Sequence, residues 1–162
     1  MPEEEPHQKS LAMVVMSGDF DKLFGAFIIA TGAAAMGMEV TMFFTFWGLR
    51  AIKKNVSTGK TFLGKMLGVV YGGDISKSNP SKFSFGGMGR WMFNKMMGNH
   101  NVSTLTELRD LAIDLGVNMY GCQMSMDVME IPRESFIDGV KEPVGVGFFL
   151  MKAQDAEIQL FI

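Results

Sequence analysis

The order of apolar and polar positions alternates between two kinds of run. Leu11 to Met16 is apolar throughout, Ser17-Gly18-Asp19 interrupts it, about Asp21 to Met36 is apolar at helical spacing, and Val40 to Phe46 is again continuously apolar. This order predicts strand, turn, helix, strand, a βαβ unit. Strands without polar alternation belong in a parallel sheet whose two faces are both covered by helices, joined by a right-handed crossover. Ser17 and Asp19 stand where they can cap the helix, and Gly37 where it can end it. The stretch from Leu23 to Leu49 is uncharged except for Glu39, which raises the question of a membrane span. It reads instead as a buried helix followed by a central strand, divided at Gly37-Met38-Glu39. Glu39 near the middle of a span would cost about 3 kcal/mol.

The second half is patterned in the same way. Thr104-Leu105-Thr106-Glu107 has the form of a capping box and opens a helix with Leu105, Leu108, Leu111, Ala112 and Leu115 on one face, ended by Gly116. Val117 to Tyr120 then reads as a short strand. Helix is predicted from about Met126 to Asp138, broken or restarted at Pro132, and again from about Pro143 to Gln154, with Ile158 to Ile162 as the last strand. Between these halves the pattern loosens. Residues 50–101 hold nine glycines, each of which weakens a helix interior by roughly 1 kcal/mol relative to alanine. Within that stretch Met88, Trp91, Met92 and Met96 recur at helical spacing. The expected architecture is a single three-layer α/β domain over residues 1–162, with a mostly parallel sheet of about five strands flanked by helices. Residues 1–9 form an acidic leader, and about 50–101 a basic, glycine- and methionine-rich insertion that crosses or covers the sheet.

Length and composition agree with one globular domain: 162 residues, 48% hydrophobic and 20% charged. Charge changes the picture more. The net charge is only −2, yet residues 50–101 carry nine lysines and arginines against the single acid Asp74, while the rest carries six against sixteen acids. Such a segment can attract an anionic ligand, an acidic partner or a membrane surface, or can simply be a solvated face. The start Met1-Pro2-Glu3-Glu4-Glu5-Pro6 is acidic where a secretory signal is basic, so the expected location is cytoplasmic. Thr58-Gly59-Lys60-Thr61 lacks the first glycine of a P-loop, and Gly87-Met88-Gly89 does not extend to a dinucleotide fingerprint. Phe83, Phe85 and Trp91 flank the basic stretch, but no nucleic-acid module surrounds them.

The chemistry concentrates in sulfur. Sixteen methionines accompany one cysteine, Cys122, so neither a disulfide, a paired-thiol redox motif nor a cysteine-rich zinc site can form within one chain. Cys122 follows a predicted strand and precedes a predicted helix, the edge of an open α/β sheet where ligands bind. A helix amino terminus there favours the thiolate, the reactive form, and Gly121 lets the backbone bend closely beside it. A buried cysteine acting as a small hydrophobe is an equally open reading. Cys122-Gln123-Met124-Ser125 matches a C-x-x-S pattern, and Met119 stands where a peroxiredoxin has threonine. A Cys-His hydrolase would need His100 as base, and nothing in the sequence brings it to Cys122. A copper(I) site from Cys122, Met124, Met126, Met129 and His100 suits soft ligands, but Met124 and Met126 fall on different sides of a helix. Methionine as flexible core filler is the better reading, with no metal or other cofactor.

Val14-Val15-Met16-Ser17-Gly18-Asp19-Phe20-Asp21-Lys22, the helix end Gly32-Ala33-Ala34-Ala35-Met36-Gly37-Met38, the run Val40 to Leu49, and Cys122-Gln123-Met124-Ser125-Met126-Asp127 together resemble the DsrE/DsrF-like family, in its DsrE2-type branch. The resemblance spans nearly the whole chain after the leader. It implies a parallel-sheet α/β subunit assembled into trimers or hexamers in the cytoplasm. It further implies sulfur relay, with Cys122 carrying sulfane sulfur as a persulfide received from thiosulfate, polysulfide or a protein persulfide and passed to a thiol carrier protein. Gly121, Gln123, Met124 and Ser125 are then neighbours that can line the pocket. Some relatives carry a further cysteine, which this chain lacks. The competing reading is a non-catalytic interaction or membrane-associated protein with a structural, buried Cys122.

Overall fold

The computed structural model describes residues 8–162, so most of the acidic leader lies outside the described residues. The first three elements follow the apolar runs closely: β1 (Ser10–Val15), α1 (Phe20–Ala35) and β2 (Glu39–Phe44). Asp19 is the residue before α1, but its side chain makes no cap bond; Ser17 Oγ instead accepts from the Asp19 N–H at 3.0 Å. Gly37, at φ +82°, turns the chain out of the helix. After residues 50–101 come α4 (Leu105–Asp114), β3 (Asn118–Gly121), α5 (Gln123–Val128), α6 (Val146–Gln154) and β4 (Ile158–Phe161). Residues 50–101 themselves contain α2 (Phe62–Val70) and α3 (Met88–Asn99).

The sheet has the order β3-β2-β1-β4, and every pairing is parallel. In register, Leu11 faces Val40 and Ile158, and Thr41 faces Asn118. Side chains alternate across a strand, which divides the core in two. Leu11, Met13, Val15, Met42, Phe44 and Met119 point to one face, under Ala26, Phe27 and Ala30 of α1 and Leu105, Leu108 and Ala112 of α4. The rings of Phe27 and Phe44 stack there at 6.2 Å. Ala12, Phe43 and Cys122 point to the other face, under Phe149 and Ala153 of α6. The three layers arise because strands apolar at every position must be covered twice.

Four strands form where the sequence predicts about five. The fifth position is occupied by a single parallel bridge between Cys122 and Val144. Pro143, which has no N–H, precedes Val144, and Gly145 begins the turn into α6, so the bridge cannot lengthen into a strand. The helix predicted from about Met126 starts earlier, at Gln123, and stops at Val128, because Glu130 takes a left-handed φ of +52° ahead of Pro132. Likewise α6 begins at Val146 rather than Pro143. In α4 the capping box of Thr104 and Glu107 is complete. Leu111 and Leu115, however, are exposed, and Arg109 takes a buried place with Asp110 as its partner.

Residues 50–101 wrap the carboxyl end of the sheet and the amino end of α1. Asp21 accepts from Ser81 N–H and Oγ at 2.7 Å each, and Phe20 N–H donates to Asn79 O at 2.9 Å. Helix α3 docks through Phe93 and Met97 against the main core, leaving Met88, Trp91, Met92 and Met96 outward. Helix α2 buries only Gly64 and Gly68 and exposes Phe62, Leu63, Met66, Val69 and Val70. No helix among the described residues is long and apolar enough to cross a membrane; the Leu23 to Leu49 run is most of α1, a turn, β2 and the start of a 3-10 helical segment, Phe46–Ile52.

Candidate functional site

Strands β2 and β3 end side by side, Phe44 opposite Gly121, and the chain leaves β3 through Cys122. The Cys122 N–H donates to Phe44 O at 2.8 Å, and Cys122 O accepts from Met126 N–H at 3.0 Å, the first bond of α5. On the other side Val144 N–H donates to Gly121 O and Gln123 N–H to Val144 O, both at 3.0 Å. The backbone at Cys122 is therefore held from three directions. The thiol is free and only 4% exposed, packed with Ala12, Phe43, Phe149 and Ala153. Its side chain makes no cap bond to α5. The cover over it is Phe149, stacked on Phe43 at 5.2 Å, and the segment Val144-Gly145 that leads into α6.

The residues adjacent to Cys122 divide among three environments. Gln123 lines a cleft of about 500 Å³ together with Lys60, Met126, Asp127, Glu130 and Arg133, and its amide donates to Asp127 Oδ1 at 2.8 Å. Met124 is exposed. Ser125 is buried, its Oγ 2.6 Å from Thr45 Oγ1. Gly121 acts by close approach: a Cβ there would lie 2.7 Å from the Phe136 ring and 3.3 Å from Met126 Sδ. That is a packing role within β3 rather than the chain bend its sequence position suggests.

The soft-metal donors considered from sequence are not brought together. Cys122 lies in the cluster under α6, Met126 and Met129 lie in the main core, and Met124 is in solvent. His100 follows the last residue of α3 as its carboxyl cap and is exposed. Among the described residues, those clustered with the buried Cys122 are apolar, and the chemistry they frame is that of the thiol itself.

Two features of the same sheet edge escaped the sequence reading. Glu130, two residues beyond α5, accepts from the N–H groups of Lys60 and Thr61 and from Thr61 Oγ1, tying the amino end of α2 to the cleft below Gln123. These hydrogen bonds, that from the Thr61 hydroxyl first, hold its carboxyl below the ordinary glutamate range. Arg50 and Lys53, counted from sequence with the basic surface, are 8% and 3% exposed. The available signal was their spacing of three between Leu49, Ala51 and Ile52, which places both on the inner side of a turn.

Comparison with known proteins extends this geometry. The model of the DsrE/DsrF/DrsH-like family matches residues 7–161. The chain is 39% identical over 156 residues to the uncharacterized protein YrkE of Bacillus subtilis, covering 95% of this chain and 97% of that one. It is 36% identical over 159 residues to the sulfur carrier protein DsrE2 of Allochromatium vinosum, covering 96% and 99%. The fold is similar to that of the E. coli YchN crystal structure, with a TM-score of 0.60 at 12% identity, over 96% of this chain and all of that one.

Proposed function

Because the chain belongs to the DsrE/DsrF/DrsH-like family, we propose that it is a sulfur carrier that holds sulfane sulfur as a persulfide on Cys122 and hands it to a partner thiol. The observation that carries this reading is the position of the one thiol, at the carboxyl end of β3, the edge strand beside β2, next to the cleft lined by Gln123 and Met126. The similarity to a protein named a sulfur carrier supports it.

The step needs no second cysteine. The Cys122 thiolate attacks the outer sulfur of a persulfide or polysulfide; a Sγ–S bond forms, the donor S–S bond breaks, and the donor leaves as a thiolate. With thiosulfate the leaving group is sulfite. An acceptor thiolate then attacks the terminal sulfur, and Cys122 departs as thiolate, so electrons balance without an added oxidant. Transfer requires that the thiol be uncovered. The movable cover is the short Val144-Gly145 connection and the first turn of α6, which contains Gly147 and meets β3 through the Cys122–Val144 bridge and the Tyr120–Phe148 ring contact. The large apolar side chains left outside α2, such as Phe62 and Val69, support assembly of this carrier into a homo-oligomer, which analytical ultracentrifugation measures.

Intact mass after incubation with thiosulfate, tetrathionate or polysulfide tests the reading. A thiol-reversible adduct that is absent in Cys122→Ala is expected; absence of any adduct with all three donors would overturn it. The burial of Cys122 at 4% exposure favours one rival, an interaction protein whose cysteine is structural. A thiol that reacts with a small disulfide reagent only after denaturation decides for that rival.

A further inference from the structure

Below α2, at the carboxyl ends of β1 and β2, lies a small, partly open cleft lined by Phe46, Arg50, Lys53, Leu67, Tyr71 and Met129. Its cavity of about 10 Å³ is room for one water-sized group. The lining is apolar apart from Arg50, Lys53, Tyr71 and Thr58. Both cations are more than nine-tenths buried. Among the described residues neither forms an ion pair.

The Arg50 guanidinium is fixed in place. Its central carbon stands 3.7 Å from the centre of the Tyr71 ring, and Tyr71 is itself anchored by its hydroxyl, which donates to Trp47 O at 3.1 Å. Its two terminal nitrogens make only long contacts, 3.4 Å each, to Lys77 O and Gly72 O. Its Nε is buried and has no hydrogen-bond partner. Lys53 is held by its backbone, which pairs with Phe136 across an isolated bridge. Two buried cations lining one largely apolar cleft are costly unless an anion accompanies them. Burial first, then mutual repulsion, pushes the Lys53 ammonium below the ordinary lysine range. For Arg50 burial acts in the same direction, opposed first by Tyr71, then reinforced by the Arg90 charge, with Asp19 and Asp74 opposing more weakly from beyond contact. Phe46, at a left-handed φ of +46°, forms the wall of this cleft, a strained backbone of the kind found where a ligand is clamped.

We propose that Arg50 and Lys53 form a binding site for a small inorganic anion, which seats one oxygen, sulfur or halide atom between them under α2. A single anionic atom fits the cavity as it stands. A tetrahedral oxyanion such as sulfate or thiosulfate needs α2 to move outward, a motion opposed by the contacts of Gly64, Leu67 and Gly68, by the Glu130 tether and by the Tyr71 hydroxyl on Trp47 O. The site is on the opposite face of the sheet from the Cys122 side chain, among residues of the main core. It stands independently of the sulfur-carrier reading.

The test is thermal unfolding and calorimetric titration of the full chain with sodium chloride, sodium sulfate and sodium thiosulfate. Ionic strength is held constant with sodium gluconate, whose anion is too large for the cleft. A saturable rise in Tm with at least one of the three anions is expected, weakened at least tenfold in affinity in Lys53→Met and Arg50→Met, retained in Lys53→Arg, and unchanged in the control Lys95→Gln. Lys53→Gln serves as the second neutral variant if either methionine variant does not fold. Chloride alone would define a single-atom site; sulfate or thiosulfate would define an oxyanion site. No saturable response in the wild-type chain, or an equal response in the neutral Lys53 variants, overturns the proposal. Cys122→Ala should keep the anion response while losing the sulfur adduct, which separates failure of this site from failure of the carrier function.

Discussion

Glu130 and Thr61, far apart in the sequence, meet where α2 begins: Glu130 accepts from the Thr61 N–H at 2.8 Å and from its hydroxyl at 2.6 Å. Thr61 in turn caps α2 by accepting from Gly64 N–H at 3.1 Å. A carboxylate at a helix amino end is favoured by the unpaired N–H groups there, and this one also joins the cleft beside Gln123 to the roof over Arg50 and Lys53.

The first prediction concerns pH. The folded-state pKa of Glu130 lies below the ordinary value of 4.5, so its ionised form is the one bound in the native state. Its stabilisation is therefore present in full above 4.5 and is lost as pH falls through the lower folded value. Tm measured against pH should show Glu130→Gln less stable than the wild type near neutrality, with the difference closing in acid. A difference that stays constant to the lowest pH would contradict the assignment.

Two glycine-to-alanine changes should act in opposite directions. At Gly68 a Cβ would lie 1.8 Å from Thr58 O, a backbone atom that cannot move aside cheaply, so Gly68→Ala should destabilise by about 1–3 kcal/mol and shift α2. At Gly25, within α1, nothing lies within 4 Å, so Gly25→Ala should stabilise by up to about 1 kcal/mol. Denaturant unfolding of the two variants gives both signs in one experiment.

The Thr45 and Ser125 hydroxyls, 2.6 Å apart, should respond unequally to deletion. Ser125 is fully buried, whereas Thr45 is partly exposed. Thr45→Val strands a hydroxyl away from water and should cost about 1–3 kcal/mol, more than Ser125→Ala, whose partner water can still reach. A double-mutant cycle in urea unfolding measures the coupling, and equal costs for the two single variants would refute the asymmetry.

Thinning the cover over the thiol should expose it. Phe149→Leu removes the ring stacked on Phe43 while keeping an apolar side chain. The rate of Cys122 modification by a small disulfide reagent should rise several-fold, at a stability cost of about 1 kcal/mol. An unchanged rate would mean that opening occurs elsewhere, and would remove α6 as the route to Cys122.

Where the sequence reading succeeded, the signal was local. Leu11 to Met16 and Val40 to Phe46 are apolar at every position, and only a strand covered on both faces accommodates that. Thr104 and Glu107 make a capping box because their spacing of three alone brings each side chain to the other's backbone. Where it failed, the deciding partner was distant. The fifth strand reduced to a bridge at Val144 because the loop reaching it arrives with Pro143 and leaves with Gly145. Leu111 and Leu115 share the predicted face of α4, but the surface available to it is narrower than that face, so they stay in solvent.

By itself the chain determined the β1-α1-β2 unit, the capped start of α4 and the parallel character of the sheet, because periodicity, capping and the apolar strands act over neighbours a few residues apart. It also determined that any thiol chemistry is that of one cysteine. Only the tertiary structure decided which way each functional side chain faces. Cys122 lies beneath Phe149 because alternation along β3 turns it to the α6 side. Arg50 and Lys53 are inside because the turn after β2 is pressed between the sheet and α2, where charge patterning along the sequence predicts a solvated surface. Burial depends on what arrives from elsewhere in the chain, and no local pattern carries that information.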